Sequence, residues 1–364
     1  MVFSEKLSKI ENQESIETMK KIAIIDSYRD FGGGQNYLER LIELLQDRYI
    51  FYTITFSEEV YYRLLKKEFN VHYIPIKRYY AFLEIKKMVK NLNPDLIILN
   101  GQFEAHFSFL FPFRKIIFIR HTPLNMTTAI KRFLYFIEAI LFADSIVVVN
   151  DFMIKQLPFF IRKKTKVIYN WTSLSCKTNK NFAKLKKNKF NILYCGRLVK
   201  EKNVHLIIEA CKDLVDLVDL HIVGTGEEYN ELFAKYSNYK NVYFHGYVQN
   251  EETKHYYEMA DIYIQVSNIE AFPLAVLEAL CYGLPVILSR IPAHIDISKN
   301  GECALLVDPK IEDIKNAILM LINDENLRET LSIKALLRVQ DFSHEKSKKK
   351  YLELFEDLIK PDIG

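Results

Sequence analysis

The sequence predicts an α/β protein built of two doubly wound domains, each a parallel sheet covered by helices. Three observations carry that expectation. Short β-branched runs alternate with longer amphipathic segments, as parallel strands and their covering helices do. The runs fall into two sets, separated by TSLSCKTNKNFAKLKKNK (172–189), which is polar, basic and without periodicity. The chain of 364 residues is also longer than one ordinary core accommodates.

In order, the first set reads KIAIID (21–26), YIFYTITF (49–56), VHYIPI (71–76), DLIILN (95–100), KIIFIR (115–120), SIVVVN (145–150) and KVIYN (166–170). The second reads FNILYCG (190–196), LHIVG (220–224), VYFHG (242–246), DIYIQVS (261–267) and PVILS (285–289). No repeat of solenoid period interrupts them. The expected division is an extension over 1–19, a first domain over 20–175, a linker over 176–189, a second domain over 190–343 and a C-terminal helix over 344–364 that crosses back to the first domain. Open parallel sheets bind ligands beyond the carboxyl ends of their strands, so the loops following these runs are where functional residues are expected.

Hydrophobic residues make up 49% and charged residues 26%, a globular composition that excludes wholesale disorder. The net charge of +4 is small, and no nucleic-acid partner is expected. It is unevenly placed: residues 1–176 carry 25 Lys/Arg against 18 Asp/Glu. Such a basic half suits either an acidic partner or membrane, or a merely solvated surface. Five scattered cysteines without a C-x-x-C pair read as reduced, buried thiols of a cytoplasmic protein. The opening MVFSEKLSKIENQESIE is acidic and polar, unlike a signal peptide. The most apolar stretch, 133–149, is broken by Glu138 and Asp144, short of the ~20 clean residues that span a bilayer. The expectation is a protein soluble in the cytoplasm or peripheral to the inner face of the cell membrane.

Two stretches concentrate the chemistry. In Cys195-Gly196-Arg197-Leu198-Val199-Lys200-Glu201-Lys202-Asn203, a strand ends at Gly196 and a helix begins near Asn203. Arg197 and Lys202 thus sit at a strand's carboxyl end beside a helix N-terminus, an arrangement suited to a diphosphate, or else two solvated loop cations. In Ser267-Asn268-Ile269-Glu270-Ala271-Phe272-Pro273-Leu274-Ala275-Val276-Leu277-Glu278, a buried strand ends, Glu270 lies in the loop and a helix opens around Phe272–Pro273. Free N–H groups at that helix start can hold phosphate oxygens. Glu278 sits among apolar neighbours, where the hydroxyls of a ribose would satisfy its carboxylate; a solvent-facing helix glutamate is the alternative.

These stretches, about 70 residues apart, with Gly283-Leu284-Pro285-Val286 after the second, resemble the Glu-x7-Glu family 4 glycosyltransferases of GT-B fold. The likeness extends to VGTGEEYNEL (223–232), HGYV (245–248) and Gly301–Pro309, and covers residues 20–345, most densely in the second half. It implies two Rossmann-like domains facing across a cleft, the first on the acceptor side and the second binding a nucleotide-diphosphate sugar. It further implies that Arg197 and Lys202 neutralise the diphosphate and that Glu278 holds ribose hydroxyls. Glu270, with the backbone at Phe272, Pro273 and Leu274, would address the donor sugar and phosphates, and Gly246 and Val248 would border the nucleobase. Phe31-Gly32-Gly33-Gly34-Gln35-Asn36 is similar to the family's glycine turn, with Gly33 and Gly34 approaching the diphosphate through their backbone and Gln35 and Asn36 on the acceptor side. His121, directly after KIIFIR and before Thr122-Pro123, would face the donor sugar in the cleft. The sequence departs from the family at Asn170-Trp171-Thr172-Ser173 and at Asn203, which replaces a common glycine, a change expected to carry little weight.

The activity implied is a retaining hexosyl or N-acetylhexosaminyl transfer to a glycan or lipid-linked acceptor, in cell-surface polysaccharide or glycoconjugate synthesis. No Asp-x-Asp triplet occurs, so no metal or other cofactor is expected, and Arg197, Lys202 and helix N-termini would take the cation's place. A catalytically silent glycosyltransferase-like subunit and a sugar-nucleotide epimerase on the same fold are the alternatives. A nicotinamide enzyme is disfavoured because Gly224-Thr225-Gly226 does not complete a G-x-G-x-x-G fingerprint. Basic residues interleaved with aromatics at 111–115, 131–136 and 159–164 suggest peripheral membrane contact through the first domain, unless those aromatics are core.

Overall fold

The computed structural model describes residues 19–27, 33–75, 78–124, 128–172 and 189–360. It divides into two compact units, one formed by the chain up to Tyr169 together with the residues from Ser347 on, the other by Asn170–Lys346. The change of unit falls at Asn170, ahead of the expected linker, of which residues 176–188 lie outside the described ones.

In the first unit, seven parallel strands form one sheet: β1 (Lys20–Asp26), β2 (Tyr49–Thr55), β3 (Asn70–Tyr73), β4 (Leu96–Asn100), β5 (Ile116–Arg120), β6 (Ser145–Val148) and β7 (Thr165–Val167). Their order is β3-β2-β1-β4-β5-β6-β7. The central strands β1, β4 and β5 read as unbroken apolar runs because both of their faces are covered; Ile22 to Ile25, Leu96 to Leu99 and Ile116 to Ile119 are all buried. The helix Glu58–Lys66 shows how local chemistry sets an element's ends. The hydroxyl of Ser57 accepts from the N–H of Val60, Glu58 and Glu59 occupy the first turn, and Arg63 and Lys66 the last. The C-terminal helix His344–Ile359 packs onto this unit from Ser347 onward. Lys348 pairs with Asp47 at 2.8 Å, the Tyr351 hydroxyl meets that of Tyr37, and Phe355 packs edge-on against Tyr49.

The second unit holds six parallel strands: β8 (Phe190–Cys195), β9 (Val218–Val223), β10 (Val242–Gly246), β11 (Ile262–Gln265), β12 (Val286–Ser289) and β13 (Leu305–Val307), in the order β10-β9-β8-β11-β12-β13. Strand β13 corresponds to no run expected from the sequence. It has three residues, two of them only half-buried, at the sheet's edge, too short to show a period.

Both sheets reverse their winding once. The chain lays down three strands outward in one direction, then returns to pair a fourth on the other side of the first. This puts switch points between β1 and β4 in one unit and between β8 and β11 in the other. Ligands of open α/β sheets bind at such points, beyond the carboxyl ends of the strands.

Candidate active site

The loops that leave β8 and β11 carry the candidate donor residues, which places them at the switch point of the second sheet. After β8, Gly196 leads to Arg197, whose carbonyl accepts from the Tyr194 hydroxyl at 2.8 Å. The Arg197 side chain is exposed and makes no ion pair among the described residues. A short 3₁₀ turn, Lys200–Lys202, follows and ends at Asn203, before the helix Val204–Cys211. Asn203 has left-handed backbone (φ 51°, ψ 37°), a conformation that asparagine tolerates better than most residues. Its side chain donates to Val266 O at 2.9 Å and to Asn268 Oδ1 at 2.8 Å, and Asn268 N donates to Glu201 O at 2.7 Å. Asn203 therefore ties the two site loops together, a larger part than the sequence suggested.

After β11, Glu270 is held by three donors that converge on Oε1: Lys202 Nζ, Gln265 Nε2 at 2.5 Å and Ser267 Oγ at 2.9 Å. The Tyr263 hydroxyl donates to Gln265 Oε1 at 2.8 Å, which fixes the amide with its nitrogen toward Glu270. Oε2 of Glu270 is left without a hydrogen bond among the described residues. Burial pushes the Glu270 carboxyl upward, but the charge of Lys202, then that of His294, and the hydrogen bonds of Lys202 and Ser267 outweigh it and hold the group below the usual carboxylate range. The Lys202–Glu270 ion pair leaves side-chain exposures of only 15% and 11%, so removing one partner strands the other charge in a dry setting.

The helix Leu274–Cys281 opens one residue later than expected, with Pro273 as its N-cap. No side chain caps it. Its first turn thus presents backbone N–H groups close in sequence to Glu270, a ready anion site. Glu278 is half-buried and accepts from the Tyr257 hydroxyl at 3.0 Å. Its charge, after burial, helps push the Cys195 thiol up to about 12, so it lies near the end of β8. Gly246 ends β10, and its carbonyl accepts from Gly224 N at 2.8 Å; Val248 follows, half-buried. The Gly224 and Gly226 positions serve close loop packing rather than a dinucleotide fingerprint. A Cβ at Gly224 would lie 2.0 Å from Gly196 O, and one at Gly226 2.3 Å from Leu198 O.

In the first unit, Gly33 and Gly34 open the helix Gly33–Leu45, while Phe31 and Gly32 lie outside the described residues. Gln35 is buried and donates to Asp26 Oδ1 at 3.3 Å, and Asn36 is half-buried. His121 follows β5 directly. Its Nε2 lies 2.8 Å from Asn100 Oδ1, at the end of β4, and the Tyr37 ring packs edge-on with 4.6 Å between centroids. Burial lowers the His121 pKa to about 4, so the imidazole is neutral at physiological pH. Two buried carboxyls that the sequence reading passed over share this switch point. Asp26 ends β1, and Glu104 accepts from Ser27 N at 2.7 Å and Ser27 Oγ at 2.6 Å. Only sheet topology joins them, since 78 positions separate them in sequence.

Residues 177–338 match the family Glycosyl transferases group 1, and this stretch is a glycosyltransferase group 1 domain. The chain is 33% identical over 182 residues to the uncharacterized glycosyltransferase MJ1069 of Methanocaldococcus jannaschii, covering 48% of this chain and 46% of that protein. It is 28% identical over 326 residues to the O-antigen biosynthesis glycosyltransferase WbnH of Escherichia coli, covering 85% and 93%. Among solved structures it is similar to HepE of Anabaena in complex with UDP-glucose, with a TM-score of 0.79 and 20% identity over 93% of this chain and 99% of that one. The two parallel-sheet α/β units and this likeness give the GT-B architecture.

Proposed function

We propose that this glycosyltransferase group 1 domain belongs to a retaining, metal-independent enzyme that moves a hexosyl or N-acetylhexosaminyl group from a nucleotide-diphosphate sugar to a glycan or lipid-linked acceptor. The observation that carries the reading is the convergence, at the β8/β11 switch point, of exposed Arg197, the Lys202–Glu270 pair and an uncapped helix N-terminus. In this reading Arg197, Lys202 and the N–H groups from Leu274 onward take the diphosphate charge as it grows on the leaving group. Lys202 needs no metal to do so, because its ammonium is already positioned by Glu270. Glu270 Oε2 receives a hydroxyl of the donor sugar, and Glu278 the ribose hydroxyls. Gly246 and Val248 border the nucleobase. Within the first unit, the same reading gives Gly33 and Gly34 a backbone suited to phosphate oxygens and His121 a neutral imidazole suited to accept a hydrogen bond from a sugar hydroxyl. Retention follows from attack on the face the diphosphate leaves, with the departing phosphate accepting the acceptor's proton; no residue is assigned as a covalent nucleophile.

HepE was solved with UDP-glucose, so uridine diphosphate sugars are the first donors to try. WbnH, an O-antigen glycosyltransferase, supports a glycan acceptor on the same footing. Screening nucleotide sugars for protection against thermal unfolding identifies the donor, since a ligand of the folded state raises its apparent stability. The anomeric configuration of the product, read by NMR, then tests retention: an inverted product overturns it.

A further inference from the structure

At the end of the first sheet, Asn100 stands between Asp26 and His121 and can face them in only one way. Its Nδ2 lies 3.0 Å from Asp26 Oδ1 and 3.4 Å from Gly34 O, two acceptors. The nitrogen therefore points inward, because a flipped amide would set its oxygen against the Gly34 carbonyl, which accepts whatever the protonation of Asp26. Asn100 Oδ1 then faces His121 Nε2 at 2.8 Å and can only accept, so Nε2 carries the imidazole proton.

We propose that Asp26 is a positioning residue for His121: by holding the Asn100 carboxamide nitrogen inward, it fixes the imidazole as the Nε2–H tautomer and leaves Nδ1 as the ring's acceptor. Every link is buried or half-buried. Asp26 is fully enclosed, Asn100 is 1% exposed, and Gln35 donates to the same Oδ1 at 3.3 Å. Among the described residues, the opposite oxygen, Asp26 Oδ2, is buried without a hydrogen-bond partner, as is Glu104 Oε2. Burial first, and the neighbouring Glu104 carboxyl second, raise Asp26 to about 8. Asp26 is thus a protonated acid at neutral pH that accepts through Oδ1, and an asparagine in its place reproduces both shape and acceptor. The Tyr37 ring against the imidazole limits its rotation, so the tautomer decides which ring nitrogen is presented.

The value of this tautomer to sugar transfer rests on the function proposed above, but the tautomer itself can be read without turnover. The test uses the full chain labelled with ¹⁵N-histidine, with the His121 signals assigned by their loss in His121→Gln. Wild type and Asp26→Asn should show the neutral Nε2–H form. Asp26→Ala should release the Asn100 amide, populate the Nδ1–H form, and lower kcat by about 10–100-fold, the scale on which the outer partner of a ligating imidazole acts, with the donor KM unchanged. If Asp26→Ala does not fold, Asn100→Asp carries the test, because a carboxylate facing Nε2 should convert His121 to the imidazolium. An unchanged His121 spectrum in Asp26→Ala, or in Asn100→Asp where that variant replaces it, overturns the proposal. So does an Asp26→Asn spectrum matching that of Asp26→Ala. A shifted tautomer alongside full activity of His121→Ala upholds the positioning and removes His121 from the catalytic list instead.

Discussion

Arg197 and Lys202 share a loop but not a surrounding. Arg197 stands in solvent with no ion pair among the described residues, whereas Lys202 is held in place by Glu270. In the proposed reading Arg197 faces the departing diphosphate, so Arg197→Ala should lower kcat by about 10²–10³, and near-normal turnover would return Arg197 to an ordinary surface cation. Glu278→Ala should instead weaken donor binding by about 1.5–3 kcal/mol, the loss of hydrogen bonds to a charged group, visible as a raised donor KM with kcat retained. A second residue-scale prediction concerns pH. Asp26 loses its proton near 3.8 when unfolded and near 8 when folded, so across that window the folded chain holds the extra proton. Stability from this group is therefore full below 3.8 and falls as pH rises to 8, by up to about 1.4 kcal/mol per unit. His121 and His294, lowered by burial to about 4 from an ordinary 6.5, act in the opposite sense and weaken the fold as pH drops below 6.5. Asp26→Asn removes only the first titration. Its melting temperature relative to wild type should climb between pH 4 and 8 and then level off, and a difference that does not vary with pH contradicts the assignment. The charged residues of the second unit were legible in the sequence because each follows an apolar run within a few positions. Asp26 and Asn100 also end apolar runs, but nothing in the sequence joins them to each other or to Glu104, because strand order alone brings the three together.

Single elements carry two further consequences. The loop join at Asn203 has a backbone part and a side-chain part, which two variants separate. Asn203→Gly keeps the left-handed turn but loses the ties to Val266 and Asn268, so it should fold while both kcat and donor affinity fall. Asn203→Ala adds backbone strain of about 1 kcal/mol and should also melt earlier. Equal melting temperatures would show that the backbone at 203 carries no strain. The helix Ala129–Phe142 buries Tyr135 and Ala139 yet exposes Ile130, Phe133, Leu134, Ile137, Ile140 and Leu141, an apolar stripe at helical spacing. Phe159 and Phe160, 71% and 56% exposed, head a short helix packed against it, with Lys163 and Lys164 beside them. The sequence left open whether such aromatics are core. In the fold, Tyr135 and Phe111 are, and Phe113, Phe133, Phe159 and Phe160 are not. An exposed stripe of this kind is the feature on which a proposal of peripheral membrane contact rests; no helix among the described residues is long and apolar enough to cross a bilayer. Flotation with anionic vesicles should show binding that weakens at high salt and is lost in Phe133→Glu with Ile137→Glu, whereas vesicles that never bind the wild type rule it out.

At the scale of the whole molecule, two sheets of the same winding each place polar residues at a switch point. In the second unit those residues are the ones proposed to hold a diphosphate and a sugar. Both sheets were legible as alternating runs, because parallel strands covered on both faces must be apolar throughout. Their order, and with it the side chains that meet, was not, since period and composition do not encode strand sequence within a sheet. The most direct test of the account is nucleoside diphosphate release from a panel of nucleotide-diphosphate sugars in excess EDTA, comparing wild type with the Arg197→Ala, Glu270→Ala double variant. The account predicts one donor turned over at the same rate with and without the chelator, and no release above background from the double variant. Turnover that disappears in EDTA and returns with magnesium or manganese, or that survives in the double variant, contradicts it.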